Sequence, residues 1–128
     1  MCKRVLSAVC FLLFTLVLGS GEAAAEKWIT EAQMKQLSAK ARNYQLMLTQ
    51  LSCRFQADVD TPGREHVLFK PVFEQVAEVT PWGWTFDANQ ALPGPEKQAR
   101  DAGFEIASED YYEITGVTWV RCRVWHRP

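Results

Sequence analysis

Residues 103–126 read GFEIASEDYYEITGVTWVRCRVWH. Gly103 suits the left-handed stop of a preceding helix. Phe104 to Glu113 has the composition of a strand, Ile114-Thr115-Gly116 reads as a tight turn, and Val117 to Trp125 reads as the returning strand. Successive side chains on a strand alternate between its faces, so Val120, Cys122 and Val124 share one side while Trp119, Arg121, Arg123 and Trp125 share the other. The aliphatic side is expected to pack under helices. Upstream, Pro95 fits the first turn of a short helix, where its missing N–H costs nothing. This half of the chain therefore reads helix, strand, strand.

The same order stands in the preceding half. Thr30-Glu31-Ala32-Gln33 has the capping-box pattern, with Ile29 and Met34 placed for a hydrophobic staple, so a helix is expected to start at Thr30. Met34, Leu37 and Ala41 recur at three- and four-residue spacing and define its core-facing stripe. Asn43 is the expected left-handed stop. Gln45 to Phe55 and His66 to Val76 then read as two strands around a loop, Asp58 to Glu65, that contains Pro62-Gly63. Asn43-Tyr44-Gln45-Leu46 aligns with Gly103-Phe104-Glu105-Ile106 at an offset of 60, and Val72-Phe73-Glu74 with Val124-Trp125-His126 at an offset of 52. The difference of eight falls in the Asp58 to Glu65 loop, where insertion is cheap. Apolar alternation changes phase between Leu48 and Leu51 and again between Ile106 and Tyr111, as a β-bulge in each strand would cause. The expected fold class is α+β: two αββ repeats, at about residues 28–77 and 82–127, forming one four-stranded antiparallel sheet with both helices on one face.

Residues 1–25 carry the marks of a secretory signal peptide: Lys3 and Arg4, an apolar run from Val5 to Leu18, then small residues ending in Ala23-Ala24-Ala25. At about 14 residues the run is shorter than the roughly 20 a membrane-spanning helix needs. A mature chain starting at Glu26 would hold 12 basic and 14 acidic residues, a net charge of −2 over 103 residues, as one domain without a membrane span. That balance lacks the cationic footprint of a nucleic-acid binder. The expected location is secreted or periplasmic. Cleavage would leave Cys53 and Cys122. In an oxidising compartment the economical reading is a disulfide, and the alternative is two buried thiols.

The order helix, Gly-aromatic-polar, strand, aromatic, Gly-containing turn, strand ending in an aromatic resembles the bacterial tandem repeat domain family, αββ repeats of exported bacterial proteins. The matching stretches are Gly103-Phe104-Glu105, Asp110-Tyr111-Tyr112, Gly116 and Val124-Trp125-His126, with Asn43-Tyr44-Gln45 and Val72-Phe73-Glu74 in the first copy. Where the family pattern usually has Arg after Gly-Tyr, this chain has Gln45 and Glu105, and Arg121-Cys122-Arg123 replaces a run of small residues. The resemblance implies a repeat module without catalytic residues of its own.

Chemistry-bearing motifs are sparse. His66 and His126 stand without the further ligands that zinc requires. No phosphate-cradling Gly-rich loop or G-x-S-x-G elbow occurs. No catalytic residue, metal ligand or cofactor is therefore assigned. The aromatic residues remain. Trp82 and Trp84, in Pro81-Trp82-Gly83-Trp84-Thr85-Phe86, are expected on a connector, where they either bind a ligand or close the core. Together with Trp119, Arg121, Arg123 and Trp125 they form the expected ligand-binding set, because Trp and Arg dominate recognition hot spots. The expected function is an exported, non-enzymatic module that binds a protein or an envelope glycan. The alternative is a small periplasmic inhibitor or immunity protein with the Asp58 to Glu65 loop as its inserted element.

Overall fold

The computed structural model describes residues 27–128; the expected signal peptide lies outside the described residues. Helix α1 spans Glu31–Asn43. The Thr30 hydroxyl accepts the Gln33 N–H at 3.2 Å and the Gln33 side chain accepts the Thr30 N–H at 2.9 Å, as the capping box requires. The helix runs out at Asn43, but the left-handed residue that turns the chain is Gln45, with φ 57°. Strands β1, Leu46–Phe55, and β2, Val67–Gln75, pair as an antiparallel hairpin. Helix α2 spans Pro93–Asp101 and stops at Gly103, whose φ of +86° suits glycine. Strands β4, Glu105–Thr115, and β5, Thr118–His126, form the second hairpin.

Two features overturn the expected four-stranded sheet of paired αββ repeats. The first is an additional strand, β3, at Trp82–Ala88, pairing with β5. The strands accordingly form two sheets, β1-β2 and β3-β5-β4, rather than one. Proline is tolerated at the start of an edge strand, so Pro81 does not exclude β3, and Trp82, Trp84, Phe86 and Ala88 follow the period of two that a strand imposes. The second is that the helices lie on different sides. Helix α1 closes the gap between β2 and β3: Ser38 accepts the Trp84 indole N–H at 3.1 Å, Arg42 donates to Trp82 O at 3.0 Å, and Ile29 bridges Phe69. Helix α2 sits on the opposite face of the three-stranded sheet, where Glu96 meets Arg123 at 2.9 Å.

Both strands expected to bulge do so, β1 between Leu48 and Gln50 and β4 between Ile106 and Ser108. These bulges lie 58 positions apart, not the 60 that repeat equivalence requires.

The core lies between the sheets. Val120, Cys122 and Val124 of β5 are fully buried and face Leu48, Leu51, Cys53 and Phe55 of β1. Phe69 of β2 stands at the centre, edge-on to Trp84 and Phe86 at centroid distances of 5.2 and 4.9 Å. Such contacts add about 0.5–1.5 kcal/mol per aromatic pair to the hydrophobic gain. Cys53 and Cys122 form a disulfide between the sheets, with their Cα atoms 6.2 Å apart. Facing sheets usually stand about 10 Å apart, so the two layers are drawn together at this bond.

Candidate functional site

The six residues expected to form one binding surface are divided among three environments. Pairing with β5 sets Trp82 against His126, Trp84 against Val124 and Phe86 against Cys122, which turns all three β3 aromatics toward the core. Trp82 is buried, with the Arg42 guanidinium 4.0 Å from its ring centroid. Burial lowers the Arg42 pKa from its ordinary value. Trp84 is half-buried between Phe69 and Ser38. Neither indole is presented on a loop.

On the outer face of the sheet, β5 presents Trp119, Arg121, Arg123 and Trp125, flanked by Gly83, Thr85 and Asp87 of β3 and by Ile106, Glu109, Tyr111 and Glu113 of β4. Helix α2 covers the Trp125 end. Trp125 is buried, its indole N–H donates to Thr85 Oγ1 at 2.9 Å, and Arg100 lies 5.5 Å from its ring. Arg123 is clamped between Glu96 and Glu109, at 2.9 and 2.6 Å. Burial alone would lower the Arg123 pKa, but the two carboxylates outweigh it and raise it above the usual value. The near-balanced charge of the chain thus does supply partners for these arginines.

The other half of this face stays open. Tyr111 stacks on Trp119 with centroids 6.0 Å apart and planes at 28°, and Arg121 lies 5.9 Å from the Trp119 ring. Asp87 fixes Arg121 through a 2.8 Å ion pair, and Asn89 Oδ1 accepts the Trp119 backbone N–H at 2.9 Å. The Tyr111 hydroxyl donates to Glu113 at 3.0 Å, and desolvation together with that bond pushes its pKa up. The two-ring platform therefore carries a protonated phenol and is flanked by a fixed guanidinium. Tyr111, Tyr112, Ile114 and Val117 are 52, 41, 52 and 79% exposed, so this end of the hairpin is apolar as well as aromatic.

Neither a protein-family model, nor a curated protein, nor a solved structure matches this chain. Its chemistry is therefore read from geometry alone.

The two histidines are engaged in local structure. His66 Nδ1 accepts the Gly63 N–H at 3.1 Å, holding the loop before β2. His126 Nε2 lies 2.7 Å from Leu48 O; a carbonyl can only accept, so this nitrogen carries the proton. Cys53, Asp110 and Cys122 come together, but the sulfurs are bonded to each other and the Asp110 carboxylate accepts the Cys53 N–H at 3.1 Å. A cleft of about 350 Å³ lies beside His126, lined by Thr80, Glu105, Ile106, Ala107 and Pro128. Among the described residues no helix is long and apolar enough to cross a membrane.

Sequence reasoning missed Tyr111 as a site residue. The signal was available: it falls on the same sheet face as Trp119 once the β4 bulge is placed.

Proposed function

We propose that this chain is a non-enzymatic binding module of the cell envelope or extracellular space, and that it recognises a protein ligand through the open half of its outer sheet face. The observation that carries this reading is the Tyr111–Trp119 stack, left uncovered by α2 and flanked by Arg121, which Asp87 already holds in place. Rigid aromatic and Arg side chains lose little conformational freedom on binding, which makes them effective anchors. The Cys53–Cys122 bond is compatible with an oxidising compartment. Of the six residues first expected at the ligand surface, Trp119 and Arg121 remain in it.

A protein recovered from envelope extract on the wild-type chain should bind Tyr111→Ala and Trp119→Ala variants at least about tenfold more weakly, as hot-spot truncation implies. Unchanged affinity, measured by calorimetry with the purified partner, would remove this face from the reading. A glycan ligand would instead show as a saturable tryptophan fluorescence change on titration with envelope glycans.

A second reading, a small inhibitor presenting the Asp58 to Glu65 loop, draws on the loop's anchorage. Asn89 donates to Pro62 O at 2.8 Å and Arg64 donates to Phe86 O at 3.0 Å. Loss of partner binding on substitution of Asp60, with Trp119→Ala unaffected, favours the inhibitor.

A further inference from the structure

Two sheets have four outer edges, and local groups occupy three of them. Ile29 bridges the outer edge of β2 at Phe69 through two backbone bonds of 2.7 and 2.8 Å. On the outer edge of β3, Arg42 and Arg64 donate to the carbonyls of Trp82 and Phe86, both at 3.0 Å. On β1 the Cys53 N–H is taken by Asp110. The edge of β4 differs. It is the longest strand, 11 residues, and among the described residues its backbone bonds run only to β5. An unpaired edge is a ready template for another strand, and proteins ordinarily blunt it.

We propose that the β4 edge is the ligand's docking line: an extended, basic segment of the partner protein adds there as a fourth strand, beside the Tyr111–Trp119 platform. The proposal rests on the binding-module reading and specifies how the partner is held. Charge selects the occupant. Strand β4 carries Glu105, Glu109, Asp110 and Glu113 and no Lys or Arg; Glu109 is paired with Arg123 and Asp110 with the Cys53 N–H, which leaves Glu105 and Glu113, and a second copy paired antiparallel about Glu109 would set these two against each other. Alternation places the Lys or Arg residues of the basic segment on the outer face, beside Glu113 and Tyr111, and its intervening apolar residues on the other face, beside Tyr112. Main-chain bonds along the edge supply affinity, and side chains supply selection.

The test titrates the isotope-labelled, disulfide-bonded chain with the capped decapeptide (Lys-Val)5 and follows amide hydrogen exchange. Expected is slower exchange by about tenfold or more at β4 amides, as burial in a new ladder produces, with β5 unchanged. Binding should weaken as salt rises. The acidic peptide (Glu-Val)5 and a (Lys-Val)5 N-methylated at alternate residues should give no protection, and the Glu105→Lys/Glu113→Lys variant should reverse the preference toward the acidic peptide. Absence of β4 protection, equal binding of the N-methylated peptide, or a concentration-dependent dimer that protects β4 without peptide would overturn the proposal. Repeating the titration on Trp119→Ala separates the two claims. Protection of β4 that persists there supports the edge and tells against the aromatic platform; protection absent from wild type, where Trp119→Ala still weakens a recovered partner, refutes the edge alone.

Discussion

Ser38 is buried at 2% exposure in the middle of α1, where a polar side chain is costly unless its bonds are made. Its hydroxyl donates to Met34 O at 2.8 Å and accepts the Trp84 indole N–H at 3.1 Å, so one oxygen ties helix to strand. Replacing it leaves the indole N–H without a partner, and Ser38→Ala should cost about 1–3 kcal/mol, offset only slightly by the better helix propensity of alanine. Urea unfolding checks this, and the same substitution in a Trp84→Phe background should cost distinctly less. Equal costs in both backgrounds would show that the bond is not the source. Trp82 provides the contrast, since its buried Nε1 has no partner among the described residues. Trp82→Phe removes that orphan donor and should be better tolerated than Trp84→Phe.

Among the elements, α2 depends most on charge. None of its residues is buried, and it is tied to the sheet by the Glu96–Arg123 pair and by Arg100 over Trp125. The bonds from Arg100 first, and then Arg123, hold the Glu96 carboxyl below its usual pKa. Arg100 lies on α2 itself, so its share of the lowering stabilises the helix, while the Arg123 share stabilises its docking; both contributions are present above the ordinary carboxylate pKa and are lost as pH falls through the lowered value. Acidification should therefore release α2 before the core unfolds, read as faster amide exchange in 93–101 and a changed Trp125 fluorescence, and Glu96→Gln should remove that step. Release unaltered by Glu96→Gln would place the titrating group elsewhere. The same pair shows where sequence reading stopped. The alternation of Val120, Cys122 and Val124 against Trp119, Arg121, Arg123 and Trp125 was legible, as were both hairpins and the Thr30 cap. That α2 would take the second set's Arg123 and Trp125 out of solvent was not, because local spacing does not say which sheet face a helix covers. Strand β3 was obscured by Pro81 and Gly83, residues that weaken a strand's interior but are accepted at an edge.

At the scale of the whole fold, the disulfide joins parts that no shared backbone ladder unites among the described residues. One hairpin, β1-β2, with α1, belongs to the first half of the chain, and the sheet β3-β5-β4 to the second. Between them run side-chain contacts, the His126–Leu48 and Asp110–Cys53 bonds, and the Cys53–Cys122 link across 69 positions. Closing a loop of that length restricts the unfolded chain by an amount worth about 4 kcal/mol in the chain-entropy model, a large share of the roughly 5–15 kcal/mol that holds a domain folded. Cys53→Ala/Cys122→Ala should lower the urea midpoint accordingly, and a single Cys→Ala should lower it about as much, because each breaks the same bond. Both cysteines are buried, at 2 and 0% exposure, so a reductant meets the bond only when the sheets part. Thiol release in dithiothreitol should therefore be slow in buffer and accelerate with urea in parallel with unfolding. Rapid reduction without urea would mean that the two layers separate readily in the native state, and that their side-chain contacts, not the bond, contribute the smaller part of the stability between them.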